Sequence, residues 1–198
     1  MFINPKTAIE KGWIMFPEGM SEEMKQKCLQ PNAVDITADH VHVFTQNNLR
    51  SYENGDVSIE DLNRMTLSES TKIMRKQEPL QPIASSETNY VPFWHIEGNS
   101  CVDVMTNFHV TVPAGAVAML IARSTLARNG LFISSGLYDS GFDNYVGFML
   151  HNRGPRAFIA PGTRIGQLYF VAAEVSGMMY QGQYNANKGE HWSKIEDK

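Results

Sequence analysis

Cysteine is nearly missing from this chain: among 198 residues there are only Cys28 and Cys101. Two isolated cysteines make neither a disulfide framework nor a zinc site by themselves. No apolar run approaches the roughly 18 residues of a membrane span, so no membrane partner is expected. The opening stretch MFINPKTAIEKGW has Pro and charge where a secretory leader would carry an apolar run, and a cytoplasmic location is the expectation. Positive charge is scarce as well. The 17 Lys and Arg face 21 Asp and Glu, a formal net charge of −4. That balance offers no general basic surface for duplex nucleic acid, so any phosphate is expected at a local site. There is no internal repeat, no Walker A pattern, no GxGxxG after a strand, no HExxH and no GxSxG, which removes the commonest enzyme classes. His40 and His42 in DHVHVF would share a strand face, but with no third ligand nearby they read as half-buried strand residues.

What is present is an ordinary globular composition, 42% hydrophobic and 19% charged, in a length that favours one domain over residues 1–198. Residues 1–30 read as partly helical. NPKTAIEKG carries Pro early and Gly at its end, and SEEMKQKCL follows with a Ser cap and Glu in its first turn. From NAVDITADHVHVF onward apolar and polar residues alternate with the period of a half-buried strand. Residues 47–89 read as an irregular excursion, with KQEPLQPIASSET as an exposed linker. The second half is a series of short strands: VPFWHI, SCVDVMTNFHVTV, AVAMLIA, GLFIS, YVGFML, RAFIA and IGQLYFVAAEV. That spacing predicts an all-β sandwich or barrel rather than a βαβ fold. RSTLARNG predicts one helical turn capped by Ser124 and ended at Asn129-Gly130. The polar tail, residues 178–198, reads as a mobile arm unless another surface orders it.

Phosphate chemistry has material here. RSTLAR sets Arg123 and Arg128 on either side of the Ser124 hydroxyl at a helix start. NRGPRAFIAPGTRIGQ adds Arg153, Arg156, Arg164 and Gln167 along Gly-containing turns, where a ligand can approach the backbone. Asp139 sits at the tip of GLYDSGF, a place that suits an ordinary turn residue and a catalytic acid alike.

The run ARSTLARNGLFISSGLYDSGFDNYVGFMLHNRGPRAFIAPGTRIGQLYF resembles the core of the dUTPase/dCTP deaminase superfamily. QPNAVDITADHVHVF resembles that superfamily's first motif in its deaminase form, and YQGQYNANKGEHW resembles the deaminase-type C-terminal arm. These pieces cover about half the chain in the family's order, and RSTLAR and PGTRIGQL are fairly specific; residues 47–89 carry no usable likeness. The resemblance implies a distorted β-barrel or jelly-roll-like core of the dUTPase-like, β-clip kind. It further implies a homotrimer with nucleotide sites at subunit interfaces and a deoxynucleoside triphosphate held with Mg²⁺. Position by position, it places Asp139 on the acid that orients and deprotonates the attacking water. Phe142 falls on the aromatic against the deoxyribose. Arg123, Ser124, Gln167 and Arg164 fall on phosphate contacts, with Arg164 and Arg153 equally able to brace the trimer. Arg128 falls on an active-site arginine of the deaminase branch, and Asp35 on the acid that meets metal-bound water or orders the site. Gly136 and Tyr138 lie in the hairpin whose backbone reads the base edge.

Two departures bear on the reaction. The deaminase branch has a proton-shuttling glutamate ten residues after the Asp, where this chain has Met149. A thioether moves no proton, and general acid–base help is worth about 10² to 10⁴ in rate. His151, two residues along the same strand, faces the same side and is a conceivable stand-in. The hairpin GLFISSGLYD is also shorter than the family pattern, which reshapes the base pocket; uracil is the default, with cytosine or a 5-substituted pyrimidine open. Three readings compete. The first is a diphosphohydrolase taking dUTP and water to dUMP and diphosphate. The second is a dCTP deaminase with an altered proton relay, and the third a non-catalytic nucleotide-binding or structural trimer.

Overall fold

The computed structural model describes residues 1–44, 77–81, 92–175, 177–182 and 185. The two N-terminal helices begin where their caps predict. Helix α1 (Pro5–Glu10) starts after Asn4, whose side chain accepts from Lys6 N, and has Pro at its first position. Helix α2 (Glu22–Cys28) starts after Ser21, which accepts from Met24 N, with two glutamates in its first turn. Between them lies the short strand β1 (Ile14–Met15).

The alternating stretch NAVDITADHVHVF becomes two strands, not one. Strand β2 (Val34–Thr37) and strand β3 (His40–Phe44) belong to different sheets. The corner between them is fixed by polar bonds. Ala38 N donates to Thr163 O, and the Asp39 carboxylate accepts from Asn107 N at 2.9 Å and from the Thr37 hydroxyl. A single polar residue in the pattern thus turns the chain from one sheet to the other. Strand β4 (Gln77–Pro79) pairs with β3, so part of KQEPLQ is a strand rather than an exposed linker. The rest of the expected excursion at 47–89 lies outside the described residues apart from Leu80 and Gln81.

The second half follows the expected order of strands: β5 (Trp94–Ile96), β6 (Ser100–Thr111), β7 (Ala116–Ala122), β8 (Leu131–Ser134), β9 (Asp143–Asn152), β10 (Ala157–Ile159) and β11 (Arg164–Ala172). The five-residue helix α3 (Ser124–Arg128) lies between β7 and β8. Its cap is Arg123, in extended conformation and without a side-chain cap bond, so Ser124 is the first helical residue rather than the cap. The largest sheet runs β4-β3-β6-β9-β8 with β1 on β6; a second runs β2-β11-β7, and β5 pairs with β10. All the pairings are antiparallel.

Val104, Phe108, Val110, Val146 and Leu150 fill the inner face of the large sheet; Ile36, Leu168 and Phe170 fill that of the other. The two faces meet tightly at Gly166, where a Cβ would come within 2.8 Å of Leu120 and 3.2 Å of Ile133. Glycine is needed there for space, and the register of β11 against β2 shifts beside it. The expectation of an all-β core with a few short N-terminal helices holds.

Candidate active site

Strand β11 presents Gln167 toward β2 and β7, in register with Asp35 on one side and Ile121 on the other. The row carries four of the residues singled out in the sequence. Asp35 is fully buried. Its Oδ2 forms an ion pair with Arg123 Nε at 3.0 Å and accepts from an Arg164 guanidinium nitrogen at 3.1 Å, and its Oδ1 accepts from Gln167 Nε2 at 3.1 Å. Arg164 is also tied to the Lys27 carbonyl at the end of α2, and Arg123 to the Arg164 carbonyl. Burial pushes the Asp35 carboxyl above its usual range, while the bond from Gln167, the charges of Arg123 and Arg164 and the bond from Arg164 act against that push. Each arginine side chain stays partly open to solvent, 27% for Arg123 and 28% for Arg164. One carboxylate therefore holds two cations still and leaves the cluster one net positive charge. Ser124, the next residue after Arg123, is exposed, as is Arg128 at the other end of α3.

Both oxygens of Asp35 are engaged by cationic or amide donors, an arrangement that suits the site-ordering part of what the resemblance implies for it. Among the described residues no three His, Cys, Asp or Glu converge in a way that could hold a metal ion. The described residues thus offer no carboxylate set that would hold Mg²⁺ by itself, and Asp35 anchors two guanidiniums.

Asp139 lies elsewhere. Its turn is a rigid one: Phe142 N donates to Asp139 O at 2.9 Å, and Gly141 at φ +91° sits in the position that favours glycine. Tyr138 exchanges both backbone bonds with Ala118, Gly141 N donates to Val112 O, and Ser140 Oγ donates to Ala116 O. Within this frame the Asp139 carboxylate is exposed and accepts no hydrogen bond among the described residues. Tyr138, expected to line the base pocket, is buried, with its hydroxyl donating to Gly147 O at 3.1 Å and its ring edge-on to Phe142 at 4.9 Å. Burial pushes that hydroxyl well above its usual value; a bond with Ser135 opposes the shift and the charge of Asp103 adds to it. Phe142 is buried too, between Tyr138 and Tyr180. In one chain both aromatics are interior residues rather than walls of an open pocket. Gly136 is exposed, and a Cβ there would meet nothing within 4 Å.

Asp139 and the arginine cluster do not come together within one chain. Tyr138 pairs with Ala118 near the start of β7, and Arg123 follows its end. Five residues of strand, at about 3.3 Å each, separate the two by roughly 16 Å.

The pairing also brings out a residue that the sequence reading passed over. Asp103 on β6 stands directly across from Met149 on β9, with His42 beyond it on β3 and Ser134 beyond Met149 on β8. Directly paired residues share a face, so a carboxylate lies in the row that Met149 occupies. Asp103 and His42 are both buried. His151 shares that face as expected, in register with Cys101 and Phe132.

A family model described as dCTP deaminase-like matches residues 9–173. A protein named "dCTP deaminase, dUMP-forming" from Persephonella marina is 27% identical over 177 residues, covering 87% of this chain and 91% of that protein. One named "Probable deoxyuridine 5'-triphosphate nucleotidohydrolase" from Methanothermobacter thermautotrophicus is 23% identical over 160 residues, 80% of this chain and 89% of that one. Among solved structures, 2'-deoxycytidine 5'-triphosphate deaminase from Agrobacterium tumefaciens matches with a TM-score of 0.56 at 12% identity, over 87% of this chain. The chain spans 48% of that solved chain, and the likeness is one of fold.

Proposed function

The chain belongs to the dCTP deaminase-like family, and we propose that it is a nucleotide-processing enzyme that hydrolyses a deoxynucleoside triphosphate, dUTP first, to the monophosphate and diphosphate. One observation carries this reading: the Asp139 carboxylate is exposed and unengaged among the described residues, on a turn held by its neighbours' backbone. A water held by that carboxylate attacks the α-phosphorus, the bond to the bridging oxygen breaks, diphosphate leaves, and Asp139 takes the water's proton. Developing charge on the phosphates needs fixed cations. In this reading Arg123 and Arg164, each paired with Asp35, supply it, with the Ser124 hydroxyl and Arg128 nearby in sequence. In this reading any Mg²⁺ rides on the triphosphate's own oxygens.

Because Asp139 and the arginines lie at opposite ends of β7, each pocket takes the acid from one copy and the cations from a neighbour, in a homotrimer with its sites at subunit boundaries. The outer face of the β2-β11-β7 sheet supports this. Met119, Ile121 and Phe2 are exposed there, and Phe2 packs on Tyr169. An apolar face beside the Gln167–Asp35 row suits a second copy.

A second reading, deamination of dCTP by water with release of ammonia, has Asp103 in its favour. That carboxylate stands across from Met149, the position where the deaminase glutamate is missing. Purified protein given dCTP and dUTP, with diphosphate and ammonia both measured, separates the readings. The expected result is diphosphate from dUTP, cut about 10² to 10⁴-fold by Asp139→Asn with nucleotide affinity kept. Ammonia without diphosphate, lost in Asp103→Asn, would put the second reading in its place. Binding without turnover, indifferent to Asp139→Asn, would leave a silent nucleotide-binding trimer.

A further inference from the structure

The turn that carries Asp139 is secured from two sides. On one side its bonds are internal or reach β-sheet neighbours: Phe142 N to Asp139 O, Gly141 N to Val112 O, Val112 N to Phe142 O, Ser140 Oγ to Ala116 O and the exchanged pair between Tyr138 and Ala118. Three more come from the C-terminal arm. Tyr180 N donates to Ser140 O at 2.7 Å. The Asn185 side-chain amide then brackets Phe142: its Nδ2 donates to Gly141 O at 3.0 Å, and its Oδ1 accepts from Asp143 N at 2.8 Å.

An independent feature of the turn matches this docking. A Cβ on Gly141 would lie 3.0 Å from Tyr180 N and 3.1 Å from the Met179 Cβ, so the arm packs onto the one turn residue that lacks a side chain. The Tyr180 ring lies on Phe142 at 6.0 Å.

We propose that Asn185 is a positioning residue for Asp139: its amide, by satisfying Gly141 O and Asp143 N together, holds the turn in the shape that aims the carboxylate. This rests on the reading of Asp139 as the water-activating acid. An amide donates and accepts side by side, and few side chains can meet a carbonyl and an N–H two residues apart on one strand edge. Without the arm, the Ser140 and Gly141 carbonyls and the Asp143 N–H lose these partners, and the turn relaxes on that side while its bonds to the strands remain. The carboxylate then points over a wider range while the arginine cluster, at the far end of β7, is untouched. The signature is a fall in kcat with KM kept.

The test uses the full chain and the variants Asn185→Ala, Asn185→Asp and Asp139→Asn. Steady-state dUTP hydrolysis is expected to drop roughly ten- to a hundredfold in kcat for Asn185→Ala, the order a misplaced catalytic group costs. KM is expected to change less than about twofold, since uniform binding is untouched. Asn185→Asp, which still accepts from Asp143 N but cannot donate to Gly141 O, is expected to fall in between. Amide hydrogen exchange, read without any substrate, is expected to speed up at Asp143 in Asn185→Ala and to remain slow in the middle of β9. An unchanged kcat in Asn185→Ala, a rise in KM alone, or unchanged exchange at Asp143 would each overturn the proposal. If Asp139→Asn abolishes turnover while Asn185→Ala does not, the positioning role fails and the reading of Asp139 stands. If Asp139→Asn turns over normally, that reading fails, and the exchange result alone then decides whether Asn185 shapes the turn.

Discussion

Turn aspartates ordinarily bond their own backbone within a couple of residues. At Asp139 that work is done by other groups, the Phe142 N–H, the Ser140 hydroxyl and the strand edge at Ala118, which leaves the carboxylate for something outside the turn. Asp35 is the opposite case, a carboxylate wholly taken up by its neighbours. Asp35→Asn leaves two guanidiniums facing a neutral amide in a buried place. Unfolding by denaturant is expected to show a loss of about 3 to 5 kcal/mol, the usual cost of breaking such a set. A side chain that only met metal-bound water would leave stability unchanged. Cys28, beside this cluster, is pushed up from the ordinary 9.0 to about 11, mainly by burial and then by the Asp35 charge, against Arg164 and Arg123. Between those two values the unfolded chain has lost the thiol proton and the folded chain keeps it, so this contribution is full below pH 9 and stability falls as pH rises through the window. Near neutral pH a thiol reagent should label one cysteine in the native protein, the exposed Cys101, and two after unfolding. Fast labelling of both in the native state would contradict the burial of Cys28.

At the scale of elements, local signals were read well and partners were not. Asn4, Ser21 and Pro5 mark helix starts in sequence because capping is decided within four residues. The alternation in SCVDVMTNFHVTV gave β6 but could not say which strand would lie beside it. Asp103 meets Met149 only because β6 pairs with β9, a contact between segments 46 residues apart in sequence. The break at Ala38–Asp39 was hidden because its cause, Asn107 N reaching the Asp39 carboxylate, is more distant still, at 68 residues. Ser124 was taken for a cap because its type suits one; Arg123 occupies that place with no side-chain cap bond. Asn152 was likewise read only as part of a turn. It is fully buried, its Nδ2 lies within 3.2 Å of the carbonyls of Ile96, Glu97 and Pro155, and its Oδ1 accepts from Gly154 N. One side chain thus ties β9 to the end of β5 and to the turn before β10. Asn152→Ala leaves several buried groups unsatisfied and is expected to cost about 2 to 3 kcal/mol in denaturant unfolding. A loss under about 0.5 kcal/mol, the size of an ordinary surface change, would mean the staple is dispensable.

For the molecule as a whole, strand count, turn spacing and family resemblance were enough for the fold, since each depends on patterns that run along the chain. The candidate site was legible as a set of residues but not as an arrangement. Asp35, Arg123, Arg164 and Gln167 do meet, while Asp139 stands apart from them, and nothing in the spacing of RSTLAR and GLYDSGF reveals that β7 lies between. In the proposed trimer, that single strand would set how damage is shared between copies. A chain carrying Asp139→Asn still has sound arginines, and one carrying Arg123→Ala still has a sound acid. Unfolded together and refolded as mixed assemblies, these two inert proteins should regain turnover, with about a quarter of the pockets drawing one good part from each parent under random assortment. Each alone, treated the same way, should regain none.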